Sequence, residues 1–220
     1  MSTNAKIATI FTGVLVLGLI AVLVIAISQR TPPKTPDVNP ETSLPTTLRD
    51  DTHILDAGTA DVVLVEFLDF ECEACGAFYP YVEELREEFA GEVTFAFRYF
   101  PLPGHGNSVN AALAVEAAAR QGQLEPMYAR LFESQTQWGE RGDESQAPLF
   151  RGFAEELGLD MAQFDADVAD PAVRARVQSD FDDGLALGVD STPTFFLNDQ
   201  RVELTSFEDL RAAIEAELAK

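Results

Sequence analysis

The sequence predicts an α/β domain, made of a mixed sheet with an inserted helical subdomain and preceded by one N-terminal transmembrane helix. Three observations support this prediction. An uncharged apolar run occupies residues 7–27. Strand and helix patterns alternate over residues 50–220, and within them roughly 80 residues, at about 107–187, show helical periodicity alone. Strands on both sides of a helical block are typical of one α/β domain with an insertion.

The apolar run at residues 7–27 is flanked by Lys6 and Arg30. At ~1.5 Å rise per residue it is long enough to cross a hydrocarbon core of ~30 Å. A cleavable signal peptide is the alternative, because Ala26-Ile27-Ser28 loosely resembles a small-residue cleavage site. The apolar cores of signal peptides, however, run only ~7–15 residues. We therefore expect an uncleaved signal anchor, with residues 1–6 in the cytoplasm.

Residues 28–49 are predicted to be a linker. Five prolines stand there among threonine, asparagine and acidic residues, and no apolar periodicity is present. Such a composition cannot form a core and is typical of a semi-extended spacer. The globular domain is therefore predicted at residues 50–220.

The net charge of the chain limits the classes of partner that it can bind. It carries 37 acidic and 15 basic residues, for a formal net charge of −22. Nucleic acids and anionic membrane surfaces are bound by an excess of lysine and arginine. We therefore expect no nucleic-acid partner and no docking of the domain on anionic lipid.

The most informative pattern is the pair Cys72 and Cys75, the only two cysteines of the chain. With two residues between them, one turn of helix brings both sulfurs within bonding distance, and a helix N-terminus stabilises a thiolate. The apolar run at 62–68 predicts a buried strand before the pair, and residues 78–85 predict an amphipathic helix after it. Strand, CxxC and helix in this order predict a thioredoxin-like redox site.

Two other interpretations of the cysteine pair, a structural disulfide and a zinc site, are less favoured. A structural disulfide that closes so short a loop removes little conformational entropy from the unfolded chain, so it would stabilise the fold only slightly. A zinc site needs two further ligands, and His53 and His105 lie far apart with no ligand spacing between them. The redox interpretation is favoured, and it requires no metal and no other cofactor.

The remaining elements are predicted from periodicity and end signals. A second core strand alternates at 93–99 and ends in the turn-rich loop 101–106. Asp160 and Asp170 are expected to cap helices, and Asn198-Asp199 to turn a hairpin. Helices are predicted at 109–120 (capped by Asn107 or Ser108), 123–137, 148–157, 161–168, 171 to about 187 and 207–218 (capped by Ser206), and hairpin strands at 194–197 and 201–204.

Three separated segments, 65–75, 98–105 and 188–196, resemble the DsbA-like branch of the thioredoxin superfamily. They occur in the family's order, and the helical block at about 107–187 matches the family's insertion. The anchor and the proline-rich spacer are similar to those of membrane-anchored members from Gram-positive, especially actinobacterial, cells. The resemblance implies a thioredoxin-like fold and thiol:disulfide oxidoreductase activity.

The resemblance also implies roles for four residues. Cys72 would be the exposed nucleophile that forms a mixed disulfide with a client, and Cys75 would resolve it. Pro193 matches the family's cis-proline, and Thr192 before it would pair with the client backbone. The sequence alone leaves a trans turn open at this position, because only ~5–6% of bonds before proline are cis.

Glu66 stands inside an otherwise apolar strand, six residues before Cys72. Thioredoxin-like proteins keep a buried acid there, and burial would raise its pKa and suit it to exchange a proton with Cys75. A strand-end acid that reaches solvent is the alternative. His105 resembles a residue of the family's loop, but no role is assigned to it, and a surface loop histidine is expected.

The dipeptide between the cysteines departs from DsbA, which has proline and histidine there. Glu73 instead places a negative charge beside Cys72, and Asp69 and Glu71 add more. These charges should leave the thiolate less stabilised and the protein a weaker oxidant than DsbA. The direction of electron flow therefore stays open.

The predicted function is that of a membrane-tethered thiol:disulfide oxidoreductase, single-pass in the cell membrane with an extracytoplasmic C-terminal domain. It would oxidise cysteine pairs of exported client proteins through its Cys-Glu-Ala-Cys site. A membrane partner of the DsbB or vitamin K epoxide reductase type would reoxidise it. The alternatives are an isomerase or reductase kept reduced by a membrane electron donor, and a non-catalytic binding module with the same fold.

Overall fold

The structure is a computed structural model and describes residues 46–139, residue 142 and residues 144–220. No helix in this part of the chain is both long and apolar enough to span a membrane. The transmembrane helix predicted at residues 7–27 and the linker as far as residue 45 lie outside the described residues. Those two predictions therefore stay predictions.

The described chain folds into five strands and eight helices. In chain order they are β1 (His53–Asp56), β2 (Val63–Leu68), α1 (Glu73–Glu88), β3 (Thr94–Tyr99), α2 (Ser108–Ala119), α3 (Leu124–Glu133), α4 (Gln135–Trp138), α5 (Ala147–Glu156), α6 (Met161–Ala169), α7 (Pro171–Ala186), β4 (Thr194–Leu197), β5 (Gln200–Arg201) and α8 (Glu208–Leu218). The α/β class and the helical insertion are confirmed.

The five strands form one mixed sheet in the order β1-β3-β2-β4-β5. The central strands β2 and β3 are parallel, and Leu68 lies opposite Tyr99 at their carboxyl ends. Strand β4 runs antiparallel to β2. Because the carboxyl ends of parallel strands meet at one edge of a sheet, the loops that follow β2 and β3 emerge side by side.

The central strands are buried on both faces, which explains why they are apolar almost throughout. Leu64 and Leu68 belong to the core cluster formed with α1 and α2, whereas Val65 and Phe67 belong to the cluster on the α7 face. Side chains alternate between the two faces of a strand. Glu66 therefore lies on the α1 face, with Leu64 and Leu68.

Two predicted elements differ from the structure, and one observed strand was not predicted. The helix predicted at 123–137 is divided at Ser134, whose hydroxyl donates to the carbonyl of Arg130 at 2.6 Å. The strand predicted at 201–204 ends at Arg201. Strand β1 was not predicted, because it has only four residues and one of them, Leu55, is buried. An edge strand of this kind has no repeated alternation to recognise.

The helix ends follow the predicted caps in part. The carboxylates of Asp160 and Asp170 accept hydrogen bonds from the first turns of α6 and α7, as predicted. The hairpin turn at Asn198 and Asp199 is also confirmed, with positive φ angles of 49° and 64°. Asn107 holds the N-cap position of α2, but its side chain makes no capping hydrogen bond. The predicted Ser206 cap is wrong, because Phe207 holds the N-cap position of α8.

Residues 46–49, the described end of the predicted linker, pack on the domain. Thr47 is buried, and its backbone amide donates to Asp199 at 3.1 Å. The buried Arg98 donates to the carbonyl of Thr46 at 3.1 Å and forms an ion pair with Asp180 at 2.7 Å. Residues 46–49 are therefore part of the packed domain, although the predicted domain begins at residue 50.

Candidate redox site

The two cysteines lie at the N-terminus of α1, just beyond the carboxyl end of β2. Cys72 is the N-cap residue, and its carbonyl accepts the first helical hydrogen bond, from the Gly76 amide at 3.0 Å. Both cysteines are free thiols. Cys72 is 8% exposed, whereas Cys75 is completely buried. Cys72 is therefore the only one of the two cysteines with any exposure to solvent.

The surroundings of Cys72 favour its thiolate and lower its pKa to about 6. The hydrogen bond from the Cys75 thiol contributes most, and burial acts against it. The Thr192 side chain and the backbone amides of Cys75 and Ala74 add to the lowering. These amides are the unpaired donors of a helix N-terminus. At pH 7 Cys72 is therefore mostly thiolate.

Cys75 has the opposite character. Burial raises its pKa well above the ordinary thiol value, and the Cys72 side chain and the Glu66 carboxylate add to the effect. A buried thiol of this kind gives up its proton only to a nearby base, and as a leaving group it needs a proton in return. The pair thus consists of a slightly exposed thiol with a lowered pKa, Cys72, and a fully buried thiol with a raised pKa, Cys75.

Glu66 is 5% exposed in the central strand, so the alternative of an acid that reaches solvent does not hold. Burial raises its pKa to about 8, and the charges of Cys72 and Glu83 add to this. The carboxyl is therefore mostly protonated at pH 7. Since its charge also acts on Cys75, it lies within electrostatic range of the buried thiol. Proton exchange between the two stays a prediction.

Thr192 and Pro193 face the cysteine pair from the loop before β4. The peptide bond between them is cis. The carbonyl of Thr192 lies 3.3 Å from the Cys72 sulfur, which donates to it as a thiol. This places the predicted client-binding residues beside the nucleophile, although the pairing of Thr192 with a client backbone is itself a prediction.

Two of the acidic side chains near Cys72, those of Asp69 and Glu71, are buried and accept several hydrogen bonds. The buried carboxylate of Asp69 accepts hydrogen bonds from Glu71 N, Leu102 N, Ser108 Oγ and His105 Nδ1, at 2.5–2.9 Å. Glu71, also buried, accepts from the Asn107 amide at 2.6 Å. Glu71 thus accepts the backbone amide of the N-cap residue of α2, and Asp69 accepts the hydroxyl of its first residue, Ser108, so both carboxylates lie at a helix end where a negative charge is stabilised.

Glu73 is exposed, so water screens its charge. With Asp69 and Glu71 occupied at the N-terminus of α2, the pKa of Cys72 still falls to about 6. This value lies between those of thioredoxin (about 7) and DsbA (about 3.5). The prediction of an oxidant weaker than DsbA stays a prediction, and the pKa is in accord with it.

Neither Gln135, which holds the cysteine turn in place, nor Gly76, which leaves room for the Gln135 side chain, was predicted from the sequence. Gln135 of α4 is 8% exposed, and its side-chain amide donates to the carbonyls of Phe70 and Cys72, each at 2.8 Å. A Cβ added to Gly76 would lie 2.0 Å from the Gln135 side-chain oxygen. A glycine inside a helix, directly after the CxxC pair, was the available sign that another group approaches closely there.

Comparison with known proteins identifies the group to which this site belongs. The family model Thioredoxin_4, described as thioredoxin, matches residues 49–216. The chain belongs to this thioredoxin family. A thioredoxin-like oxidoreductase from Silicibacter pomeroyi has 25% sequence identity and a TM-score of 0.67, over 81% of this chain and 99% of that one. DsbA from Xylella fastidiosa has 21% identity and a TM-score of 0.60, over 77% and 93%.

Among curated proteins, the Na⁺/H⁺ antiporter NhaA 1 of Mycobacterium sp. (strain KMS) is 38% identical over 152 residues, which are 68% of this chain. The match spans only 24% of the antiporter. The thioredoxin-like fold with its helical insertion is confirmed by these comparisons.

Proposed function

We propose that the protein is a membrane-tethered thiol:disulfide oxidoreductase that oxidises cysteine pairs of exported proteins. The asymmetry of the two thiols carries this proposal. Cys72 lies near the surface with a pKa of about 6, whereas Cys75 is buried with a raised pKa. Disulfide transfer needs one thiol that is attacked and leaves readily, and a second one protected from the client.

The oxidation cycle has two exchange steps. A client thiolate attacks the Cys72 sulfur of the oxidised pair, the bond to Cys75 breaks, and Cys75 leaves and takes up a proton. The second client thiolate then attacks the client sulfur of the mixed disulfide, and Cys72 leaves as thiolate. The client has lost two electrons and the pair has gained them. The low pKa of Cys72 favours the second step, because a more acidic thiol leaves faster.

The pKa of Cys72 also favours the oxidising direction. At pH 7 a thiol with a pKa of about 6 is roughly ten parts thiolate to one part thiol, which stabilises the reduced form by about 1.4 kcal/mol relative to an unperturbed thiol. This makes the couple about 30 mV more oxidising. A membrane partner of the DsbB or vitamin K epoxide reductase type would then remove the electrons from the reduced pair.

In growing cells we expect most of the full-length protein to carry the Cys72–Cys75 disulfide. The measurement is an acid quench followed by a maleimide reagent that adds mass to each free thiol. The Cys75→Ser variant marks the position of the singly modified chain on the gel. A pair found mostly as dithiol would favour the reductase or isomerase alternative, in which a membrane donor supplies electrons.

The domain is proposed to lie outside the cytoplasmic membrane, held by residues 7–27. A redox pair without other cysteines suits an oxidising compartment. We expect protease added to intact, wall-stripped cells to digest residues 50–220, while a cytoplasmic marker protein survives. Full protection of the domain until the cells are lysed would contradict this topology.

A binding module that does not use its cysteines is the second candidate. It is favoured by the 38% identity to a segment of a Na⁺/H⁺ antiporter, since a related segment there forms part of a transporter chain. Such a module would keep its interactions in the Cys72→Ser/Cys75→Ser double variant. The low pKa of Cys72 and the buried Glu66 favour thiol chemistry instead.

A further inference from the structure

The loops that follow β2 and β3 meet at the redox edge of the sheet and join two ionisable side chains there. Asp69 follows β2 and precedes Cys72 by three residues, and His105 follows β3. The His105 ring nitrogen Nδ1 lies 2.7 Å from the buried Asp69 carboxylate. The pairing connects a histidine to the residue three positions before Cys72, although the CxxC dipeptide itself has no histidine.

The position of the His105 ring is fixed by several contacts. Oxygen Oδ2 of Asp69 accepts from both His105 Nδ1 and the Leu102 amide, the latter at 2.8 Å, and the His105 amide donates to the Leu102 carbonyl at 3.0 Å. The backbone of Asp69 also contacts the nucleophile, because the Cys72 amide donates to the Asp69 carbonyl at 3.1 Å. Asp69 therefore connects the ring directly to the turn that presents the nucleophile.

The charges that act on His105 are all negative. Burial lowers the pKa of the imidazole, but the hydrogen bond and charge of Asp69, the charge of Cys72 and the charge of Glu71 outweigh burial and raise it. The helix that starts beside the ring contributes the neutral Ser108, which donates to Asp69. Since the His105 side chain is 30% exposed, it can exchange its proton with solvent.

We propose that protonated His105, held by Asp69, is the positive charge that accompanies the Cys72 thiolate, and that its protonation follows the redox state of the pair. This rests on the proposed thiol exchange at Cys72. When the pair is reduced, the thiolate favours the imidazolium, and when the disulfide forms, that negative charge is lost. His105 thereby acts as a positioning residue that holds a proton near the site in the reduced state.

Coupling of this kind is reciprocal. If the thiolate raises the proton affinity of His105 by some factor, the imidazolium must raise the acidity of Cys72 by the same factor. For unit charges that interact through a partly solvated protein surface, we expect a factor of about three to ten. The two sides of the coupling can be measured independently on the same protein.

The first measurement compares the reduced and oxidised states of the unmodified protein. The chain has two histidines, so the ring signal that is lost in His53→Asn assigns both, and the signals of the full-length protein in detergent solution can then be titrated by NMR. We expect the proton affinity of His105 to be about three- to tenfold higher in the reduced than in the oxidised protein. His53 is the internal control, because it is paired with Glu116 at 2.6 Å in another part of the fold. A His105 titration that is the same in both redox states would overturn the proposal.

The second measurement uses His105→Asn, in which the amide can still donate to Asp69 but carries no charge. We expect the acid dissociation constant of Cys72, followed by thiolate absorbance, to fall by the factor found by NMR, and His53→Asn to leave it unchanged. An unchanged Cys72 titration in His105→Asn would refute the coupling while leaving the proposed function intact. If instead Cys72 in the unmodified protein neither titrates near pH 6 nor exchanges with thiols, the proposed function itself fails.

Discussion

Replacement of Cys72 by serine is expected to abolish client oxidation, whereas Cys75→Ser is expected to accumulate mixed disulfides with client proteins. The difference follows from position and acidity. Cys72 is the thiol near the surface with a pKa of about 6, and Cys75 is buried with a raised pKa. Without Cys75, a client joined to Cys72 can be released only by another thiol, so the complex should persist.

The measurement is non-reducing electrophoresis of each full-length variant after acid quench, together with the oxidation rate of a dithiol peptide. We expect no oxidation above background for either single variant, and client adducts for Cys75→Ser alone. The double serine variant is the control for adducts formed elsewhere, and it also tests the binding-module alternative. Adducts of equal abundance in both single variants would show that the assigned roles are wrong.

Much of this site is encoded within a short stretch of sequence. The apolar run before Cys72, the two-residue spacing and the helix after Cys75 are local patterns, so the position of the pair at a helix N-terminus could be predicted. Burial of Glu66 could be predicted in the same way, because its neighbours on both sides are apolar. The fold class followed from the order of such segments and from the length of the helical block.

The contacts that the sequence analysis missed join residues far apart in the chain. Gln135 donates to the carbonyl of Cys72 from 63 residues away. Asp69 and Glu71 are tied to the loop after β3 and to α2, 33–39 residues away, so their charges could not be recognised as occupied. Local periodicity carries no information about such partners, so the hydrogen bonds of these acids could not be predicted from the sequence.

Glu66→Gln is expected to slow client oxidation at least tenfold at pH 7 while leaving the fold unchanged. The reason is the proton that Cys75 takes up when it leaves. With a pKa of about 8, Glu66 is mostly protonated at pH 7 and can supply that proton, and glutamine of the same size cannot. A positioned general acid typically raises a reaction rate by about 10²–10⁴-fold. We expect a smaller loss, of at least about tenfold, because water can partly replace Glu66 as the proton donor.

The pH dependence distinguishes this role from a packing effect. As pH rises through about 8, the Glu66 carboxyl of the unmodified protein loses its proton and can no longer donate it. The rates of the unmodified protein and of Glu66→Gln should therefore converge above this pH, whereas a packing defect would separate them equally at every pH. The measurement is stopped-flow oxidation of a dithiol peptide between pH 6 and 9.

Glu88→Gln provides the matched control for this experiment. It makes the same chemical change on an exposed residue at the far end of α1, where the carboxylate pairs with Arg211 at 2.9 Å. We expect it to follow the unmodified protein at every pH. If Glu66→Gln also kept the unmodified rate between pH 6 and 8, Cys75 would have to receive its proton from elsewhere. The buried carboxyl would then influence the pair only through its charge, which acts on Cys75 when Glu66 is ionised.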